Sequence, residues 1–312
     1  MSASPSGEQH EIVAGPYRAV VTEVGATLRT LTHDGRDLVR GFAEDEVRPY
    51  YRGAVLAPWP NRVGDGRYSF DGAEQQLPLT EPERACAMHG LAVWLPWSLL
   101  ERTASSVALG TRIWAQTGYP HQLDLRAECS LGDDGLTWTL QAHNTGATPA
   151  PYGAAVHPYL VAGPGRVDDW TLELDAARVL DVDPQRLLPR EVVDAGALGL
   201  DLRGGRPLRG LSIDHAFTGL GGDDGAAWSR SATVRAADGS GVRIWWDADL
   251  GWVQVHTADR PDPAAEPVAH RAGLAVEPMT CPPDAFRTGT DLLVLAPGER
   301  HAARWRVEAV AS

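Results

Sequence analysis

An all-β architecture, a large antiparallel sandwich, follows from three features of the 312-residue chain. Apolar and polar residues alternate over short runs, turn residues separate those runs, and long helical periodicity is scarce. The 33 glycines and 23 prolines punctuate the sequence throughout.

The predicted elements follow in chain order. Arg67-Tyr68-Ser69-Phe70 leads into Asp71-Gly72 and then Gln75-Gln76-Leu77. Asp-Gly between extended segments signals a hairpin, because its tight turn needs positive φ at both central positions. Thr137 to His143 alternates and places Trp138, Leu140 and Ala142 on one face, and Asn144-Thr145-Gly146 ends the run. Asp238-Gly239 precedes the extended run Val242 to Trp246. Trp252-Val253-Gln254-Val255-His256 and Arg304 to Glu308 alternate again. Short helical turns are expected near Asp194–Leu198 and Pro282–Phe286. Pro261–Pro267 reads as a surface loop, too short to divide domains. Residues 1–312 are read as one domain with no internal repeat.

Composition narrows the function. The formal net charge of −13 repels nucleic-acid phosphates and anionic lipid, so neither is an expected partner. All 28 basic residues are arginine. Schiff-base chemistry, covalent pyridoxal phosphate and a Walker-type phosphate loop each require a lysine, so none is open to this chain. The three cysteines, Cys86, Cys129 and Cys281, are too few and scattered for a disulfide framework or zinc ribbon. Met1 to His10 carries no basic-then-apolar signal, and no apolar run reaches about 20 residues. A reduced cytoplasmic setting is the expectation.

Five local signatures carry candidate chemistry: Pro60-Asn61-Arg62-Val63-Gly64-Asp65-Gly66; Met88-His89-Gly90-Leu91, with Trp94 and Trp97 beyond; His157-Pro158-Tyr159-Leu160; Asp214-His215-Ala216-Phe217; and Glu277-Pro278-Met279-Thr280-Cys281. Pro158 and Pro278 are expected to interrupt ladder pairing, leaving the side chains before them at strand ends, where pocket rims form.

The order and spacing of these five segments resemble the aldose 1-epimerases, or galactose mutarotases. Gly118-Tyr119-Pro120 and Leu295-Ala296-Pro297-Gly298-Glu299 extend the resemblance from about residue 15 to 308. It implies a β-supersandwich with an open cleft, and anomer exchange on a free aldose such as glucose or galactose. Glu277 would be the general base and His157 the general acid. Arg62, His89 and Asp214 would hold sugar hydroxyls; apart from the resemblance, the apolar face of a sugar ring suits stacking by Tyr159, Trp94 or Trp59. Neither a metal nor an organic cofactor is implied, and the partner is a small-molecule sugar.

The chemistry suits those residue types. The C1 hydroxyl loses a proton while the ring oxygen gains one. The ring opens to an aldehyde, the C1–C2 bond rotates, and closure gives the other anomer. A carboxylate takes the first proton and an imidazolium gives the second. Asp214 is the candidate for raising the His157 pKa. The two catalytic groups are expected to face each other across a solvent-filled hollow, about one pyranose apart. Leu91, Leu160, Met279 and Arg287 depart from the commoner family residues and are expected around the pocket.

Four alternatives carry their own residues. A hexose-6-phosphate 1-epimerase would use Arg62, Arg67, Arg84 or Arg287 on the phosphate. A non-catalytic carbohydrate-binding protein would keep the pocket without turnover. A glycosidase would pair Glu277 with Asp214. A metal site would draw on His89, His157 and His256.

Overall fold

The computed structural model describes residues 4–223, 225, 226 and 228–312. They form an antiparallel β-structure dominated by two large sheets. A nine-stranded sheet runs in the order Ser98–Arg102, Ser106–Ile113, Leu123–Gly132, Gly135–Asn144, Arg300–Val310, Gly241–Trp246, Arg230–Arg235, Thr171–Leu174 and Arg206–Pro207. An eight-stranded sheet runs Pro189–Asp194, Ala176–Val182, Asp214–Leu220, Trp252–His256, Leu274–Met279, Ala155–Val156 and Val55–Leu56, with Tyr159–Leu160 also paired to Leu274–Met279.

Alternation builds the core. Successive side chains of a strand point to opposite faces, so Leu123–Gly132 alternates buried and half-buried along all ten residues. Trp138, Leu140 and Ala142 share one buried face, as their sequence spacing requires. Trp305 and Trp246 pack into the same core as Phe217, Val253, Val255 and Val276 of the eight-stranded sheet. The Trp305 indole N–H donates to the Pro278 carbonyl at 3.1 Å, which ties the two sheets face to face. On the opposite, wetter face of the nine-stranded sheet, Arg304 pairs with Asp247 and Arg306 with Asp134.

The hairpin around Asp71-Gly72 forms as Arg67–Phe70 and Ala73–Gln76. Both turn residues take positive φ, 49° and 75°. Two helical expectations are revised. Asp194–Leu198 closes as hydrogen-bonded turns after a strand rather than as helix. The turn near Pro282–Phe286 becomes helical only at Ala285–Thr288, because the two prolines and the left-handed Asp284 (φ 63°) precede it. The three cysteines are buried and unpaired. Among the described residues no helix is long and apolar enough to cross a membrane.

Candidate active site

Two adjacent rows of the eight-stranded sheet carry the polar face. Asp214 pairs with His256, His256 with Ala275, and Ala275 with Tyr159. In the next row Gln254 pairs with Glu277. Directly paired residues point to the same side, so these side chains rise together while Val253, Val255 and Val276 point into the core. Ala155 pairs with Met279 and Tyr159 with Ala275, and the same register sets His157 opposite Glu277.

The prolines act on one flank only. Beside His157-Pro158 the ladder lapses between Ala155–Val156 and Tyr159–Leu160, as expected. Glu277, by contrast, sits inside a continuous strand, since pairing to Trp252–His256 runs through Pro278 to Met279. Released from that ladder, the His157 backbone donates to the Ala54 carbonyl and accepts from the Gly53 N–H, at 3.0 and 2.8 Å. Its backbone polar groups are therefore satisfied, and its side chain is held over the sheet.

A third wall is the ribbon of Arg62–Gly64 on Cys86–Met88, in which Arg62 pairs with Met88. Asn61 and His89 flank it in left-handed conformations, φ 52° and 63°. Gly90 is left-handed as well, and a Cβ there would meet the Ala57 carbonyl oxygen at 2.1 Å. Only glycine allows that approach, which fixes the turn presenting His89.

The walls enclose a cavity of about 430 Å³. Arg62, His89, His157, Tyr159, Asp214 and Glu277 all line it, joined by Tyr51, Glu81, Gln254 and His256. His157 Nε2 lies 3.3 Å from Glu277 Oε1. The expected separation of one pyranose is therefore corrected: the two groups touch. Contact is compatible with the expected ring opening, in which the hydroxyl to be deprotonated and the ring oxygen to be protonated hang from the same carbon. The His157 ring stacks on Tyr159 (centroids 5.1 Å, 14° between planes) and meets His89 edge-on at 5.2 Å.

Burial dominates the electrostatics. It pushes His157 down to about 3, helped by His256 and Arg48. Asp214 acts upward as expected, but it is the smallest of the named causes and does not offset the burial. Burial and the Asp214 charge hold Glu277 well above the usual carboxylate range, against a downward pull from Arg62. Burial lowers His89 strongly, and the His157 and Arg62 charges add to it. For Asp214, burial acts upward, but His256, Arg62 and the Gln254 hydrogen bond of 2.6 Å carry it below its ordinary value. Both ring nitrogens of His89, Glu277 Oε2 and Gln254 Oε1 are buried without protein hydrogen-bond partners. Such groups are costly unless something pairs with them.

Several sequence assignments change. Trp94 is 51% exposed and does not line the cavity; its ring covers the Arg48 guanidinium at 4.4 Å, beyond Tyr51. Trp59 is buried against Phe286, again off the cavity. Leu91, Leu160, Met279 and Arg287 do not line it, nor does Cys281. Arg287 instead lies 3.6 Å from Asp284. Glu81, Tyr51 and Gln254 escaped assignment. Gln254 had a readable signal, the polar side of an alternating strand that also ends in His256. Glu81 had none. Among the described residues no group of three or more His, Cys, Asp or Glu side chains is arranged to hold a metal ion.

The model of the aldose 1-epimerase family matches residues 8–308. The chain belongs to the aldose 1-epimerase family. Escherichia coli K12 has a similar protein, the uncharacterized protein YihR, 35% identical over 297 residues, covering 95% of this chain and 91% of YihR. Rat galactose mutarotase is 28% identical over 212 residues, 61% of this chain and 59% of its own. The solved structure of a Caenorhabditis elegans aldose epimerase homologue superposes with a TM-score of 0.83 at 20% identity, over 97% of this chain and 98% of that one. The fold is thus galactose mutarotase-like, and family membership makes the polar cavity the natural place to look for carbohydrate chemistry.

Proposed function

We propose that this aldose 1-epimerase family member interconverts the α and β anomers of a free aldose, with Glu277 and His157 as the proton-transfer pair. The contact of 3.3 Å between them at the cavity surface carries the reading.

The pair works as a one-proton unit. In the ion-pair form, Glu277 takes the proton of the C1 hydroxyl and His157 delivers one to the ring oxygen, and the ring opens. The pair is then neutral, the form that burial of both groups favours. After rotation about C1–C2, the neutral pair runs the steps backwards: His157 takes the proton from the ring hydroxyl, Glu277 returns one to the aldehyde oxygen, and the other anomer leaves. Each transfer contributes about 10²–10⁴-fold. Arg62, His89 and Asp214 bind sugar hydroxyls, and the unpaired His89 nitrogens and Gln254 Oε1 gain partners when they do. Tyr159 stacks on the His157 ring and holds it in place.

A phosphorylated substrate is less well served. Arg67 and Arg287 do not line the cavity, Arg62 and Arg84 are both bound to Glu81, and Arg260, which does line it, lies over the Tyr50 ring at 3.8 Å. Polarimetric mutarotation of a small aldose panel, with glucose 6-phosphate beside glucose, tests reaction and substrate together. Failure to accelerate any free aldose defeats the proposal, and faster turnover of the phosphate ester moves it to that substrate.

A further inference from the structure

Arg62 does not meet the cavity as a free guanidinium. Its Nε donates to Glu81 Oε2 at 2.7 Å and its NH2 group to Glu81 Oε1 at 2.9 Å. Both side chains are more than nine-tenths buried. This fork uses the side of the guanidinium carrying Nε, leaving NH1, 3.4 Å from Asn61 Oδ1, and one NH2 proton for other partners.

Glu81 is itself fixed. Its backbone N–H and carbonyl exchange hydrogen bonds with Cys86 at 3.0 and 3.1 Å. Arg84 donates to Glu81 Oε1 at 3.1 Å. Arg186 caps the same loop through the Arg84 and Ala85 carbonyls at 3.0 and 3.1 Å. A buried ion pair is weak evidence for stability, because desolvation offsets its attraction. Bidentate geometry, however, sets the orientation of an arginine closely.

We propose that Glu81 is a positioning residue for the reaction: its bidentate grip sets the rotamer of Arg62 toward the sugar and offsets the arginine charge felt by the His157–Glu277 pair. The inference rests on the mutarotase reading above. Glu277 is faced by His157 and Tyr159 across the strand gap, by Asp214 from the sheet, and by Arg62 from the ribbon. Glu81 is faced by Arg62, Arg84, the Cys86 thiol and Tyr51. Removing the Glu81 charge leaves Arg62 uncompensated, held by the Asn61 amide oxygen at 3.4 Å and drawn by the charge of Asp214, a group that should be binding sugar.

The test compares Glu81→Gln and Glu81→Asp in the full chain by kcat, KM and their pH dependence, with thermal unfolding as a control. Glu81→Gln removes a negative charge, so the pair loses its shared proton more readily. The alkaline limb of kcat/KM then moves to lower pH, and kcat/KM falls about tenfold or more. Glu81→Asp keeps the charge but is too short for the fork, so KM rises while the limb stays in place. A residue holding only the loop together would lower activity evenly at every pH. Wild-type kcat/KM and an unmoved limb in Glu81→Gln overturn the proposal. If that variant does not fold, an unchanged KM in Glu81→Asp overturns it. A wild-type chain that binds an aldose by calorimetry without accelerating mutarotation sinks the mutarotase reading instead, and Glu81→Gln is then read on the sugar Kd: a weakened Kd upholds the positioning role and an unchanged one overturns it.

Discussion

His157 stands opposite Glu277 in the register of a ladder that two prolines have opened, and their side chains meet at 3.3 Å. Pro158 and Pro278 remove backbone donors where the histidine strand must leave the sheet. The histidine gains other backbone partners at Gly53 and Ala54. The proposed catalytic contact is thus a cross-strand pair freed from its strand. Its simplest consequence concerns charge. Glu277→Gln keeps the shape and cannot accept the C1 hydroxyl proton, so kcat falls by about 10²-fold or more with the fold intact. Polarimetry measures it, and near-normal kcat would remove Glu277 from the base role.

The pH–rate profile tests the one-proton description. Activity needs one proton on the pair and is lost when a second is gained or the first is lost. Burial spreads these events, with His157 pushed down to about 3 and Glu277 pushed well up. We expect kcat/KM to be flat through the neutral range, with no limb at the ordinary histidine value of about 6.5. A clear loss of activity centred there would contradict it.

Stability against pH carries the same information with a definite sign. Glu277 titrates higher folded than unfolded, so the native state holds the extra proton above the unfolded value of about 4.3. Its contribution is present below that value and is lost as pH rises through the folded pKa. His157 titrates lower folded than unfolded, so between about 3 and 6.5 it makes stability rise with pH. Glu277→Gln deletes only the first dependence. The Tm difference between Glu277→Gln and the wild type should therefore grow in favour of the variant as pH rises above about 5. A difference that is constant or shrinks with pH would show that Glu277 is not buried against its charge.

The all-β class was legible because strand alternation is local: Trp138, Leu140 and Ala142 declare one face within five residues, and all three are buried. Asp71-Gly72 marks its hairpin equally locally. The site was legible only as separate segments, and Glu277 and His157 were picked out by the family resemblance those segments carry together. Register is not local. Nothing near Pro278 shows that its strand runs on, because that depends on Trp252–His256 beside it and on Trp305 donating from the other sheet. Trp94 and Trp59 were drawn toward the sugar by residue type alone, and their packing on Arg48 and Phe286 is a tertiary fact.

Trp138 provides a stability control outside the site. Its side chain is fully buried between neighbouring strands, paired in register with Trp305 and Cys129. Trp138→Ala should cost about 3–5 kcal/mol, read by urea unfolding. The molecules that remain folded should keep wild-type kcat, since the residue does not line the cavity.

Trp94 and Tyr159 separate the two aromatic roles. Trp94 covers Arg48, whose guanidinium also donates to Thr27 and to the Val93 carbonyl. Its removal takes a cation–π contact of about 0.5–2 kcal/mol from that cluster. Trp94→Ala should therefore lower Tm slightly and leave KM for the preferred aldose within about twofold. Tyr159 stacks on His157 and lines the cavity. Tyr159→Ala frees the imidazole to leave the position opposite Glu277, and kcat should fall by about tenfold or more, because proton transfer depends on that alignment. Steady-state mutarotation of the two variants side by side decides the point. A large KM increase in Trp94→Ala with an unaltered Tyr159→Ala would return the exposed tryptophan to the sugar.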